Sequence, residues 1–404
     1  MARNIMCEQI IKKLYFFALL LTLTISCNSD RKKETVENNS VYTVDFDNIP
    51  KEEKIYMSSL FKKVRSIPLE TVDESLIGYI NEVQVFDGKI FVFDRDYTNS
   101  VFVFDMDGKF IRKIGRTGQG PGEYIDLRDF TIDEINHEIY LMVTDGNCIM
   151  IYDIDTGKFI KRINLSERIY SHYIQYSNGR LYADANGKSE SKENRLLHEI
   201  DKQTGEYKDS WLPADCNKGW METMSYNSFF FSRNSPHSPK YAQLFMDTVF
   251  SIEKEGLIPF LAVKSSRWPS KNDFEKANYE VEKIGNIIDN KIYCISNFIE
   301  YKDIILFTLG IHEQYHVLCD NRNGRKNVRI AGFLTNDLLF EGERFGIWRL
   351  CCSDEKRVYS ILPIEHLSFT ENLGEKIKKD LPDREKLLNL KEDDNPVILY
   401  FEYE

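Results

Sequence analysis

Three observations predict an all-β protein, a six-bladed β-propeller (seven blades possible) with short helical insertions. A hairpin phrase recurs along the chain at near-regular spacing. The length from Val41 to Glu404 divides best into six units of ~50–60 residues. Strand-forming Tyr (22) and Phe (26) are abundant, while Pro numbers only 11.

The phrase is a β-rich run ending in Asp, followed within four residues by Gly. It runs from Val101 through Asp105 to Gly108, from Ile149 through Asp153 to Gly157, and from Leu197 through Asp201 to Gly205. Weaker copies run from Val249 through Glu253 to Gly256 and from His316 through Asp320 to Gly324. The first two Asp-to-Asp steps are 48 residues each, and the later ones are 52 and 67. The Asp bonds its own backbone in a turn, the Gly supplies positive φ, and a second strand leaves. Another strand lies upstream, as in Lys89–Asp94 and Glu138–Val143. Four strands per ~48 residues make a propeller blade, and blades stack because one alone cannot bury both faces. A propeller must close its ring. The terminal run Pro396–Tyr403 is expected to pair with strands near Tyr56 to Leu69. Two interruptions, Asn272 to Ile288 and about Asn372 to Leu390, read as helical decorations.

The N-terminus is a targeting segment. Arg3, Lys12 and Lys13 precede an apolar run from Leu14 to Ile25, too short for a spanning helix, which needs ~20 residues. The run ends in Leu23-Thr-Ile-Ser-Cys27, which resembles a bacterial lipobox. Residues 1–26 then form a lipoprotein signal peptide, Cys27 is the lipidated residue, 27–40 form a polar flexible tether, and 41–404 form one propeller domain. Acyl chains at ~0.8 kcal/mol per buried CH₂ would anchor the protein to the bacterial envelope, with the outer membrane as the expected site, facing the periplasm or the exterior.

Composition limits function. The formal charge of −11 argues against nucleic-acid binding, which needs a basic footprint. The cysteines after Cys27 (Cys148, Cys216, Cys294, Cys319, Cys351 and Cys352) lack the regular spacing of a disulfide framework.

Motifs with chemical potential each have a plainer explanation. His312-Glu-Gln-Tyr-His316 matches His-Glu-x-x-His, but its flanks read as strands, where four residues span ~13 Å, too far for both imidazoles to share a zinc. Gly115 to Glu123 is Gly-rich but has no Gly-Lys-Ser/Thr and no following helix, so it reads as a link between blades, with Arg112 or Arg116 able to reach the channel mouth. Asp105-Met-Asp107 and Asp153-Ile-Asp155 lack the frame of a calcium loop. Cys351 and Cys352 should point to opposite faces of a strand. Loop carboxylates (Asp94, Asp96, Glu123, Asp126, Asp129, Glu341) could meet across blades as glycosidase-type pairs, but spacing singles out none. Trp211, Trp220 and Trp268 read as packing groups rather than sugar platforms. No catalytic residue, cofactor or metal ligand is assigned. Expected partners are the membrane through its lipid and a small-molecule, glycan or protein ligand. Binding is the leading reading, and a hydrolytic enzyme working at the channel is the alternative.

One further signal lies in motif order. Ser66–Thr71, Ser75–Gly78, Gly88–Asp94, Gly108–Tyr124 and Asp394–Val397 follow one another in a pattern that resembles the six-bladed β-propeller lipoproteins of gut-type Gram-negative bacteria, relatives in shape of NHL-repeat propellers. The resemblance implies fold and location and no reaction.

Overall fold

In the computed structural model, described residues are 42–403 except 144–146, 167–170, 185–194, 218–227, 234, 281–282, 285–288, 323, 325, 343–344 and 369. The chain begins with β1 (Tyr42–Asp45), β2 (Lys51–Tyr56) and β3 (Lys63–Pro68). Blade 1 is β4 (Glu82–Phe86), β5 (Lys89–Asp94), β6 (Ser100–Asp105) and β7 (Phe110–Ile114). Blade 2 is β8 (Leu127–Asp133), β9 (Glu138–Val143), β10 (Cys148–Asp153) and β11 (Phe159–Asn164). Blade 3 is β12 (Ile174–Ser177), β13 (Arg180–Asp184), β14 (Arg195–Ile200) and β15 (Tyr207–Pro213). Blade 4 is β16 (Ser228–Phe231), β17 (Lys240–Gln243), β18 (Thr248–Glu253) and β19 (Gly256–Lys264). Blade 5 is β20 (Cys294–Tyr301), β21 (Ile304–Gly310), β22 (Tyr315–Asp320) and β23 (Asn327–Thr335). Blade 6 takes β24 (Arg349–Ser353), β25 (Arg357–Leu362) and β26 (Val397–Glu402) from the C-terminal region and β3 from the N-terminal one. The protein is a six-bladed β-propeller.

All five hairpin phrases join the third and fourth strands of blades 1–5. Asp105 Oδ1 accepts the amides of Asp107 and Lys109, both at 2.9 Å, and Asp201 Oδ1 accepts those of Gln203 and Thr204. The glycines do more than turn the chain. Gly108 has φ +87°, and a Cβ there would meet the Pro68 carbonyl of blade 6 at 2.1 Å. Gly205, at φ +75°, sits the same way against the Asn164 carbonyl of blade 2. These two turns thus pack on a neighbour's outer strand, where a side chain would not fit.

Blade 6 has no such phrase because its hairpin is replaced by ring closure. β26 and β3 pair antiparallel, from Val397 with Pro68 to Glu402 with Lys63. β1 and β2 add to the outer edges of blades 4 and 5, parallel to β19 and β23. Those edge strands are rich in apolar residues (Leu257 to Val263; Val328 to Leu334), and covering them removes exposed apolar edges. The uncovered edges of blades 1 and 2 carry basic residues instead, Arg112 and Lys113 on β7 and Lys161 and Arg162 on β11.

The core is distributed around the ring. Each junction between neighbouring blades holds its own apolar cluster, such as Phe91, Phe93, Phe130 and Ile132 between blades 1 and 2. The helical insertions are shorter than the sequence suggests. In the first, described residues form α1 (Lys271–Lys276), capped by Ser270 and stopped where Asn278 and Tyr279 take positive φ; the rest of that stretch lies partly outside the described residues. The second stretch is not one helix. After α2 (Ile364–Ser368), it holds α3 (Leu373–Lys376) and α4 (Arg384–Leu388), separated by a bridge from Ile377 to Phe340 and by Pro382, which removes a helix donor.

Candidate functional site

The first strand of each blade is innermost, and these strands contact one another around the axis. Just past β16, Ser232 takes φ +52° and sends Arg233 across the axis. Arg233 is 5% exposed. Its Nη1 and Nη2 donate to the two Asp129 oxygens on blade 2, each at 2.9 Å. Nη1 also reaches Glu82 on blade 1, Nε donates to Gln175 on blade 3 at 2.8 Å, and Nη2 donates to the Ile174 carbonyl. One guanidinium therefore ties four blades together. Its carboxylate partners push the Arg233 pKa further up, and it stays charged. Burial pushes the Glu82 carboxyl up to about 7, opposed by Arg233 and reinforced by Asp129.

Above this floor lies a cavity of about 270 Å³, rimmed by residues at or beside the starts of inner strands, among them Asn81, Arg128, Tyr173, Asn297 and Arg349. Arg95 pairs with Asp96 and Arg128 with Asp126. Arg349 makes no ion pair among the described residues; its Nη2 donates to the Ile80 carbonyl at 2.6 Å.

Arg349 and Asn297 also line a larger cleft of about 760 Å³ over blades 5 and 6. Its walls are aromatic: Trp348 is 51% exposed, Tyr79 43% and Phe333 37%. Two of the rings have close neighbours. Trp348 meets the His366 ring edge-on at 4.9 Å. Phe333 lies against Gly346, where a Cβ would come within 2.9 Å of the ring. The main chain at Tyr79 is fixed through the buried Asp94, whose carboxylate accepts the amides of Gly78, Tyr79 and Tyr97. Behind the polar wall formed by Asn297 and His316, the buried Thr308 Oγ1 bonds Asn297 and His316 Nδ1, at 3.4 and 3.3 Å. Burial pushes His316 down to about 4, so it is neutral near pH 7. Among the described residues, Arg349 is the one Lys or Arg side chain lining this cleft.

The sequence candidates fall elsewhere, with a few exceptions. His312 is exposed in the hairpin turn and pairs with Asp289, while His316 stands on β22, so the motif spans a hairpin as its flanks imply. Both His316 and Glu313 line the aromatic cleft. The Gly115–Glu123 segment links blades 1 and 2; Glu123 accepts the Gly120 amide and pairs with Arg116. The expectation that Arg112 or Arg116 reaches the channel is corrected. Arg112 extends outward to the Ile154 and Asp155 carbonyls, and Arg116 is held at the surface by Glu123. Asp155 belongs to a trio with Asp87 and His137 at metal-ligand spacing, but Lys89 already bridges both carboxylates at 3.2 and 3.3 Å. Cys351 lines the channel while Cys352 is buried in the cluster between blades 6 and 1. Of the loop carboxylates, Asp129 is a channel group, Asp96 and Asp126 support channel arginines, Asp94 positions Tyr79, and Glu341 is exposed. Trp268 is buried, donating to the Val263 carbonyl, and Trp211 packs on Tyr182. Trp220 and Cys27 lie outside the described residues.

Among the residues of this site that escaped the sequence reading are Glu82, Arg233, Trp348 and Arg349. For three of them a signal exists once blade phase is known, because Glu82 and Arg349 open inner strands and Trp348 immediately precedes one. Arg233 has none, because its role depends on a turn after the strand.

Residues 41–402 match the family described as "Domain of unknown function (DUF4934)". The chain belongs to that family. No curated protein matches it. Among solved structures, this DUF4934 member resembles a Bacteroides fragilis protein described provisionally as exported, with 17% identity and a TM-score of 0.68 over 90% of this chain and 99% of that one. It also aligns with a member of the DUF4221 family from Bacteroides vulgatus, at 10% identity and a TM-score of 0.47, over 85% of this chain and 97% of that one. The first likeness supports the propeller fold. At these identities neither assigns a function.

Proposed function

We propose that this DUF4934 protein is a lipid-anchored, extracytoplasmic propeller that binds a ligand at its channel mouth. The observation that carries the binding reading is the aromatic cleft. Three exposed aromatic rings share it with Arg349, an arrangement suited to recognition. The channel carboxylates Glu82 and Asp129 are tied to Arg233, which gives them a structural task. The anchor reading rests on the Leu23–Cys27 sequence and the apolar run before it.

The binding test is an array of immobilised glycans and peptides probed with the full chain in detergent. A ligand should emerge whose binding Trp348→Ala abolishes. Ligands that bind Trp348→Ala as well as wild type would refute this site. The anchor test is Cys27→Ala, which should leave the membrane fraction; a variant still membrane-bound with an unchanged N-terminus contradicts the anchor.

Glu82 favours a second reading, hydrolysis at the channel. A carboxyl near 7 facing a cavity is in the range of a general acid. Turnover of a glycan that disappears in Glu82→Gln would establish it, and binding without turnover would dismiss it.

A further inference from the structure

The binding reading leaves the ligand class open, and the cleft narrows it. The aromatic rings offer flat apolar faces. Around them stand side chains with paired or planar polar groups: Asn297, Glu313, Gln314, His316 and His366. Sugar rings match this mixture, since they carry an apolar C–H face and a hydroxyl edge. A peptide bound by strand addition does not fit, because that mode needs an open strand edge for main-chain pairing. β23, at the cleft, is paired on both sides, by β22 and β2.

Charge adds a second requirement. Arg349 lines both the cleft and the channel cavity. It spends one donor on the Ile80 carbonyl, and its other N–H groups have no protein acceptor among the described residues. That bond holds the guanidinium beside Tyr79, the residue before Ile80, and beside its own neighbour Trp348. A planar, charged fork with open donors is suited to a carboxylate or sulfate. Deeper in, Ser232 is 3% exposed, lines the cavity, and its Oγ has no hydrogen-bond partner among the described residues. A polar group of the ligand reaching past Arg349 would satisfy it.

We infer that the cleft binds an acidic saccharide, with sugar rings on Trp348 and Tyr79 and an anionic substituent on Arg349. This rests on the binding reading above and specifies its ligand.

The test compares trigalacturonate with its fully methyl-esterified form, the same skeleton without charge, by calorimetry on the full chain in detergent. The acid should bind more tightly. Arg349→Gln should weaken the acid about tenfold or more and leave the ester nearly unchanged, the loss of a charge-assisted pair. Arg349→Lys should retain part of the preference, since the charge remains without the fork. Trp348→Ala should weaken both forms. Trp348 and Arg349 are surface-accessible, so unchanged melting temperatures will separate lost contacts from lost folding. Equal binding of acid and ester, unaffected by Arg349→Gln, overturns the charge assignment while the cleft stands. Binding of neither, when an array ligand is still lost in Trp348→Ala, overturns the saccharide class and leaves the binding reading intact. Acid binding that survives both Trp348→Ala and Arg349→Gln overturns the site itself.

Discussion

Replacing Arg233 with Met removes a group that joins four blades across the axis. The apolar part of the side chain is preserved, so packing loss is small. The charge loss is not. Asp129 is 1% exposed and loses both bonds to the guanidinium, keeping the Ile174 amide at 2.8 Å. Breaking a buried ion pair by removing one partner costs about 3–5 kcal/mol, because the remaining charge is uncompensated. Glu82 can relieve its share by taking a proton, so the cost centres on Asp129. At ~2 cal/mol/K per residue, a domain of this length loses roughly 1.3 °C per kcal/mol, which gives a drop of ~4–7 °C in Tm. Urea denaturation monitored by circular dichroism measures it directly. The double variant Arg233→Met/Asp129→Leu should recover much of the loss, since exchanging a buried pair for apolar groups is often close to neutral. A loss under ~1 kcal/mol for the single variant, or a double variant whose losses simply add, would refute the assignment of Arg233 as the pin of the channel.

Other perturbations follow from the same geometry. Deleting residues 396–404 removes Val397, Ile398, Leu399 and Phe401, each at most 1% exposed, along with the partner of β3; at ~1.5–3 kcal/mol per side chain the ring should fail to close, seen as loss of a cooperative thermal transition. Glu82, raised from 4.5 to about 7, stabilises the fold at low pH, and that contribution is lost as pH rises from about 4.5 through 7; Glu82→Gln should remove this falling slope in a stability–pH profile. His316, lowered from 6.5 to about 4, contributes above 6.5 and loses that contribution as pH falls through 4; His316→Gln should remove this rising slope. The two slopes oppose each other over much of one window, so the wild-type profile should be flatter than that of either variant. A single variant with a profile parallel to wild type contradicts the corresponding assignment.

Much of the fold is legible in the sequence because the blade repeats its turn chemistry. Asp105, Asp153, Asp201 and Asp320 mark hairpins through local bonds that need no knowledge of the ring, and the sixth copy is missing for the reason that closure demands. The helical decorations read at Asn272–Ile288 and about Asn372–Leu390 are present, but their bounds were not legible, because charged stretches keep helical composition even where positive φ at Asn278 and Tyr279, or Pro382, cuts a helix. β1 and β2 were not foreseen, since Lys51-Glu-Glu-Lys54 has the composition of a solvated run and becomes a strand only by covering the β23 edge. The site was largely illegible because it is assembled from blades far apart in sequence. Arg233 and Glu82 are 151 residues apart, and Arg349 and Ile80 are 269 apart. Periodicity reports which face of a strand is buried and carries no information about which blades face each other across an axis.

The central claim is that ligand occupies the aromatic cleft, and oxidative footprinting of the tryptophans reads this most directly. Without ligand, Trp348, at 51% exposure, should be oxidised far faster than Trp268, at 8%. Saturating trigalacturonate should protect Trp348 and the peptide containing Tyr79 while leaving the rate at Trp268 unchanged. Calorimetric binding of trigalacturonate with no protection at Trp348 would place its site elsewhere and contradict the account.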